Sequence, residues 1–127
     1  MRVKIHLCTY EDVLPIYNAH DTGIVQIAER KKPEIWFQAR TKEKIVGCGC
    51  LLMLSSKSAT ISRLFVLPNF RGKGICSCLI KAMEQIARSI NVKKLDAKSL
   101  INFGKYGFIK KKQYKSKLFW WVKVLKK

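Results

Sequence analysis

The sequence is poor in acidic residues and contains no long apolar segment. Only 8 of its 127 residues are Asp or Glu, against 26 Lys or Arg, so the formal net charge is +18. No segment approaches the roughly 18 uninterrupted apolar residues of a membrane helix, and charges recur from Arg2 onward, so we expect neither a membrane span nor a signal peptide. Because 48% of the residues are hydrophobic, general disorder is excluded, and the length predicts a single domain over residues 1–127.

The positive charge is concentrated in the second half of the chain. Residues 1–60 hold nine Lys or Arg against six Asp or Glu, whereas residues 61–127 hold seventeen against two. Such a field attracts a phosphorylated coenzyme, a nucleic acid or an acidic substrate. Compositional drift in a lysine-rich chain explains the same numbers, and composition leaves both interpretations open.

The five cysteines are an odd number in a chain without secretory features, which predicts reduced thiols and a cytoplasmic location. Cys48 and Cys50 would share one face of a strand, but Cys76 and Cys78 would point about 200° apart on a helix. Four convergent ligands are therefore not expected, and we predict no metal site.

A basic glycine turn joins an apolar strand to a helix at residues 63–77. Gly72 and Gly74 permit positive φ and close approach of a ligand to the backbone. Arg71 and Lys73 add charge, and Ser77 offers a hydroxyl in the first helical turn. Because free N–H groups collect at a helix start, this arrangement predicts a phosphate site. Ser77 stands where the dinucleotide fingerprint needs a third glycine, so that motif is excluded.

Hydropathy and turn signals predict strands at 2–8, 34–41, 45–54, 60–67, 92–97, 109–114 and 118–125. They predict helices from residue 11 or 12 to 18, at 24–30 and at 75–90, with Pro15 limiting how far upstream the first begins. An apolar stripe on the third helix is assigned to the core, namely Ile75, Cys78, Leu79, Ala82, Met83, Ile86, Ala87 and Ile90. The expected fold is α+β, with a mixed, mostly antiparallel sheet of about six to seven strands and about four helices.

The turn resembles motif A of the GNAT family of N-acetyltransferases, Arg/Gln-x-x-Gly-x-Gly/Ala, with the sequence Arg71-Gly72-Lys73-Gly74-Ile75-Cys76. The preceding Leu64-Phe65-Val66-Leu67-Pro68 is similar to the family's strand ending Leu-x-Val-x-Pro. Gly107-Phe108 resembles its Phe-Tyr-x-x-x-Gly-Phe ending, and the order of elements matches along nearly the whole chain. Cys76 departs from the small residue of the motif.

The resemblance implies that acetyl-CoA is the acetyl donor and that an amine attacks the thioester directly. The backbone of Leu64, Phe65 and Val66 would contact the pantetheine, and an N–H there would polarise the thioester carbonyl. The residues implied for the pyrophosphate are Arg71, Gly72, Lys73, Gly74, Ile75, Cys76 and Ser77.

This chain departs from the family at the positions of its catalytic residues. Phe103 stands where many members carry a tyrosine that protonates the departing thiolate, which leaves Tyr106 as a candidate. The strand before the turn lacks the glutamate of many members, so the candidate bases are His20, Asp21, Glu34 or a water chain. For Cys76, a helix start would lower the thiol pKa and make it redox-sensitive, or the thiol is packed and inert.

Alternative functions follow from these departures and from the charge. One is a catalytically silent CoA-binding or regulatory domain, and another is an acetyltransferase or binder directed at RNA or another polyanion. The expected acceptor is a small-molecule or peptide amine.

Two segments near the end of the sequence carry further predictions. The Lys110-Lys111-Lys112 run predicts a solvated strand edge. Phe119-Trp120-Trp121 predicts core on one face and a homodimer contact or base stacking on the other.

Overall fold

The computed structural model describes residues 2–20, 33–99, 101–115 and 118–125. Its strands are β1 (Lys4–Cys8), β2 (Glu34–Arg40), β3 (Ile45–Met53), β4 (Ser58–Val66), β5 (Lys94–Ser99), β6 (Ile109–Lys115) and β7 (Leu118–Val124). They form one sheet in the order β1-β2-β3-β4-β5-β7-β6. Only β4 and β5 pair in parallel, so the mixed, mostly antiparallel sheet is confirmed.

The expectation of about four helices is wrong for the described residues, which contain two α-helices, α1 (Tyr10–Ala19) and α2 (Ile75–Ser89). The described residues also contain two 3-10 turns, Pro68–Phe70 and Phe103–Tyr106. The second is short because Gly107, with φ of 89°, ends it after four residues. The helix expected at 24–30 lies outside the described residues. Neither described α-helix is long and apolar enough to cross a membrane.

A reciprocal capping pair fixes the start of α1. Thr9 Oγ1 accepts from the Asp12 N–H at 3.3 Å, while the Thr9 N–H donates to Asp12 Oδ2 at 2.9 Å. Each side chain thereby satisfies an N–H that the helix leaves free. The helix therefore begins at Tyr10, before the predicted start at residue 11 or 12, and Pro15 lies inside it.

The two helices cover opposite faces of the sheet. Neighbouring residues on β2 show the division, because Trp36 packs under α1 and Phe37 under α2. The predicted stripe on α2 is largely confirmed, and Met83 in its centre is fully buried. It was wrong at Cys78 and Ile90, which are exposed, while the unpredicted Ile80 is buried. The side of α2 that faces the sheet is therefore the one that carries residues 75, 79, 83 and 87.

The sheet opens between β4 and β5. Only Ser58, Ala59 and Thr60 pair with β5, and beyond Thr60 no described strand pairs with β4 on that side. A bulge against β3 accompanies the opening, with Arg63 at φ of 57° and its carbonyl accepting from the Tyr17 hydroxyl at 2.5 Å. Backbone N–H and C=O groups along this stretch of β4 are therefore available to a ligand.

Candidate functional site

The glycine turn forms the wall of a cleft of about 820 Å³ beside the open edge of β4. We call it the loop cleft. Its lining residues are Leu64, Phe65, Val66, Phe70, Arg71, Gly72, Gly74, Ile75, Cys76, Ser77, Ile80, Lys81, Glu84, Ile101, Lys105, Tyr106 and Lys123. Nine of the ten residues that the sequence predicts for a cofactor lie here; Lys73 does not line the cleft.

The start of α2 is built to receive an anion. Gly74 is its N-cap, with φ of 83° and no side-chain cap, and the Cys78 N–H makes the first helical bond to the Gly74 carbonyl at 3.1 Å. The N–H groups of residues 75–77 precede that bond and point toward the helix start. No acidic residue occupies the first turn, and a Cβ at Gly72 or Gly74 would meet no atom within 4 Å. The backbone is thus open to a phosphate group.

Arg71 joins the end of β4 to the turn. Its Nε donates to the Val66 carbonyl at 2.9 Å, and its guanidinium lies 5.3 Å from the centre of the Phe65 ring. The side chain therefore holds the turn against the strand and also adds a positive charge to the cleft wall.

Cys76 and Tyr106 meet on the other wall of the loop cleft. Burial raises the pKa of the Cys76 thiol, and the neighbouring Tyr106 hydroxyl and Lys105 counteract this only in part. Of the two alternatives for Cys76, the raised pKa contradicts the reactive thiol and supports the packed one, because desolvation outweighs the helix dipole here. Burial, followed by the effect of Cys76, also raises the pKa of the Tyr106 phenol.

An ion pair positions Tyr106 from beneath. Lys123 Nζ on β7 donates to Glu84 Oε1 on α2 at 2.7 Å and to the Tyr106 carbonyl at 2.9 Å. Sequence reasoning missed Glu84 and Lys123, together with Lys81. One signal was present, because Ser77, Lys81 and Glu84 recur at spacings of four and three beside the apolar stripe of α2.

Phe103 cannot serve as a proton donor and is 1% exposed in the core. Its ring packs edge-on against those of Tyr106 and Phe108, with centroids 5.7 and 5.2 Å away. The buried ring therefore supports the 3-10 turn that brings Tyr106 into the loop cleft.

A second cavity, of about 610 Å³, lies in the opening between β4 and β5. This strand cavity shares Leu64 and Ile101 with the loop cleft. Its other lining residues are Leu54, Thr60, Ile61, Ser62, Arg63, Asp96, Ala97, Lys98, Ser99, Phe103 and Leu118.

Asp96 is a carboxylate of the strand cavity that sequence reasoning did not single out. Oδ2 accepts from Trp120 Nε1 at 3.1 Å, whereas Oδ1 is buried and has no hydrogen-bond partner among the described residues. Thr60 Oγ1 donates to the backbone carbonyl of Asp96 at 3.2 Å. Only the pairing of β5 with β4 brings Asp96 to this cavity, which explains why the sequence pattern did not reveal it.

The three candidate bases lie elsewhere. His20 packs against the Phe65 ring, with centroids 5.4 Å apart, but lines neither cavity. Glu34 lines neither cavity, but its Oε2 lies 3.6 Å from Nη1 of Arg63, which lines the strand cavity. Asp21 lies outside the described residues.

The cysteine pairs are on opposite sides of the sheet. Cys48 and Cys50 are buried under α1, whereas Cys76 and Cys78 lie in the first turn of α2. Among the described residues, no three potential metal ligands come together.

The model of the Acetyltransferase (GNAT) family matches residues 3–111. No curated protein sequence matches the chain. Ard1 from Thermoplasma volcanium is 18% identical, with a TM-score of 0.78 over 100% of both chains. A GNAT family acetyltransferase from Elizabethkingia anophelis with acetyl-CoA bound is 17% identical, with a TM-score of 0.73 over 97% of this chain and 98% of that one. PaiA N-acetyltransferase from Thermoplasma acidophilum, in complex with coenzyme A, is 14% identical, with a TM-score of 0.74 over 98% and 100%. At these identities the similarity establishes the fold.

Proposed function

Since the chain belongs to the GNAT acetyltransferase family, we propose that it binds acetyl-CoA in the loop cleft and transfers the acetyl group to an amine. The observation that carries this proposal is the juxtaposition of an uncapped helix start and an unpaired strand edge. The helix start suits the pyrophosphate, and the strand edge suits the amide groups of the pantetheine arm. Structures of similar fold hold coenzyme A or acetyl-CoA.

The two cavities suggest where the reactants meet. Acetyl-CoA in the loop cleft would place its thioester near Leu64 and Ile101, which the strand cavity shares. An amine entering through the strand cavity attacks the carbonyl carbon, and an N–H of residues 64–66 stabilises the oxyanion. A C–N bond forms, the nitrogen loses a proton to Asp96, the C–S bond breaks, and the leaving thiolate takes a proton from the Tyr106 hydroxyl, which solvent then reprotonates.

Activity is tested by incubating the protein with acetyl-CoA and a panel of amines, including polyamines and peptides with free N-termini or lysines. We expect saturable binding of acetyl-CoA by calorimetry and amine-dependent release of CoA. Because Cys78 is exposed and would react with thiol reagents, CoA and acetylated amine are quantified by mass spectrometry. Binding without any acetylated product would favour the silent CoA-binding domain, and absence of binding would refute the whole proposal.

Asp96 is proposed as the group that holds the amine and accepts its proton. A buried carboxylate oxygen without a donor is costly, and the N–H of an incoming neutral amine would supply that donor. We expect Asp96→Asn to lower kcat/KM for the amine at least about tenfold, at the lower end of general acid–base effects, with little change in acetyl-CoA affinity. Steady-state kinetics against both substrates measures this.

The comparison variant is Glu43→Gln, which alters an exposed carboxylate that lines neither cavity. An equal loss of kcat/KM in the two variants would contradict the proposal, because it would show that the loss comes from the change in net charge and not from contact between Asp96 and the amine.

A further inference from the structure

One face of β5, β7 and β6 is uncovered in the part of the chain that the structure describes. On these strands Leu95, Ala97 and Trp121 point into the core under α2. Residues of the opposite parity point the other way, where α1 does not reach because it packs on β2 and β3. The open face is defined here by Lys94, Lys98, Lys112, Tyr114 and Trp120.

Lysines and aromatic rings alternate across the open face. Lys94 Nζ lies 5.5 Å from the centre of the Trp120 ring. Lys98 and Lys112 lie 5.4 and 5.1 Å from the centre of the Tyr114 ring, one from β5 and one from β6. Tyr114 is 42% exposed, and all three lysines are exposed. The ammonium groups thus lie over the faces of the rings, of which Tyr114 is exposed and Trp120 is partly buried.

The charge of the open face selects among possible partners. Residues 91–127 contain twelve Lys, no Arg and one acidic residue, Asp96. That carboxylate already accepts the Trp120 indole N–H. A second copy of the chain related by a twofold axis would bring lysines against lysines, and an apolar partner would desolvate them without compensation. A polyanion meets neither penalty.

We propose that the open face, whose Lys98 also lines the strand cavity, binds single-stranded nucleic acid. Phosphates would pair with Lys94, Lys98 and Lys112, while unpaired bases would stack on Tyr114 and Trp120. The exposed rings favour a single strand over a duplex, because the bases of a duplex are already stacked on each other and cannot lie on a flat protein surface.

The charge contribution is tested with a fluorescein-labelled 15-nucleotide oligo(U), by fluorescence anisotropy over a range of salt. The variant Lys94→Gln/Lys98→Gln/Lys112→Gln should bind oligo(U) at least about tenfold more weakly. The slope of the logarithm of its binding constant against the logarithm of salt concentration should decrease in magnitude by about 2, as expected for three lost phosphate contacts to a single strand. The matched control, Arg2→Gln/Lys4→Gln/Lys42→Gln, removes the same charge from exposed residues at the β1 side of the sheet. Equal weakening in both variants would overturn the proposal, because it would indicate attraction by net charge alone.

The stacking contribution is tested at Tyr114. Replacing one stacked aromatic typically weakens binding about 5- to 100-fold. Tyr114→Leu should therefore weaken oligo(U) binding by a factor in this range and leave the affinity for heparin, a polyanion without bases, unchanged. Tyr114→Phe retains the ring and should bind like the parent, with thermal unfolding as the check on folding. Unchanged oligo(U) binding in Tyr114→Leu, tighter binding of a duplex than of oligo(U), or a dimer in solution that Tyr114→Leu dissociates would each overturn it.

Discussion

Replacing Gly74 by Glu should abolish measurable binding of acetyl-CoA. Gly74 caps α2, and a side chain there enters open space beside the free N–H groups of the helix start. A carboxylate about 5 Å from a pyrophosphate repels each negative charge by about 3 kcal/mol at an effective dielectric constant near 20. We therefore expect affinity to fall more than about 100-fold, as measured by isothermal titration calorimetry.

Gly74→Gln is the matched control for that substitution. Gln has nearly the same shape as Glu and must adopt the same positive φ of 83°, so both variants should lose similar stability, about 1 to 2 kcal/mol. Thermal unfolding without ligand should confirm that similarity. If Gln impairs binding as much as Glu does, the loss comes from backbone strain or bulk, and the anion site at the helix start is disproved.

Replacing Tyr106 by Phe should lower kcat about 100-fold, a typical value for losing a general acid. Acetyl-CoA affinity should change little, because the pyrophosphate site lies on the glycine turn. Burial and Cys76 raise the pKa of Tyr106, so the phenol stays protonated and able to donate as the pH rises from neutral toward 10. The parent enzyme should accordingly show no loss of kcat from this group over that range. The measurement is kcat and KM with the best amine of the panel.

Tyr114→Phe is the control for Tyr106→Phe, since it removes a hydroxyl from the open face, away from the loop cleft. If Tyr106→Phe retains the parental kcat, the thiolate is protonated by solvent, and Tyr106 only shapes the cleft wall.

The sequence predicts local structure well wherever one short segment determines it. The turn at Gly72 and Gly74 adopts the positive φ that its glycines predict, and the strands, α2 and the exposed lysines of the edge strand β6 follow their hydropathy patterns. The prediction that one face of Phe119-Trp120-Trp121 belongs to the core is confirmed by Trp121, which is buried.

What the sequence does not reveal comes from pairing between distant segments. Asp96 enters the strand cavity only because β5 lies beside β4, and Lys123 reaches Tyr106 only because β7 lies beside β5. The bulge at Arg63 likewise depends on the register with β3 and on the hydroxyl of Tyr17. A local pattern of hydrophobic and polar residues contains no information about these registers.

The opening between β4 and β5 also affects the cohesion of the molecule. Among the described residues, three residue pairs and the bond from the Lys93 N–H to the Lys57 carbonyl join the backbones of the β1–β4 and β5–β7 halves of the sheet. Parallel pairing of such distant segments is slow to form. The two halves are thus the natural units of partial unfolding. α2 packs on the first half, and its Glu84 forms an ion pair with Lys123 on β7 of the second. A ligand that pairs with the unpaired part of β4 would act as an additional strand between the two halves. Its binding should therefore raise the free energy needed to separate them.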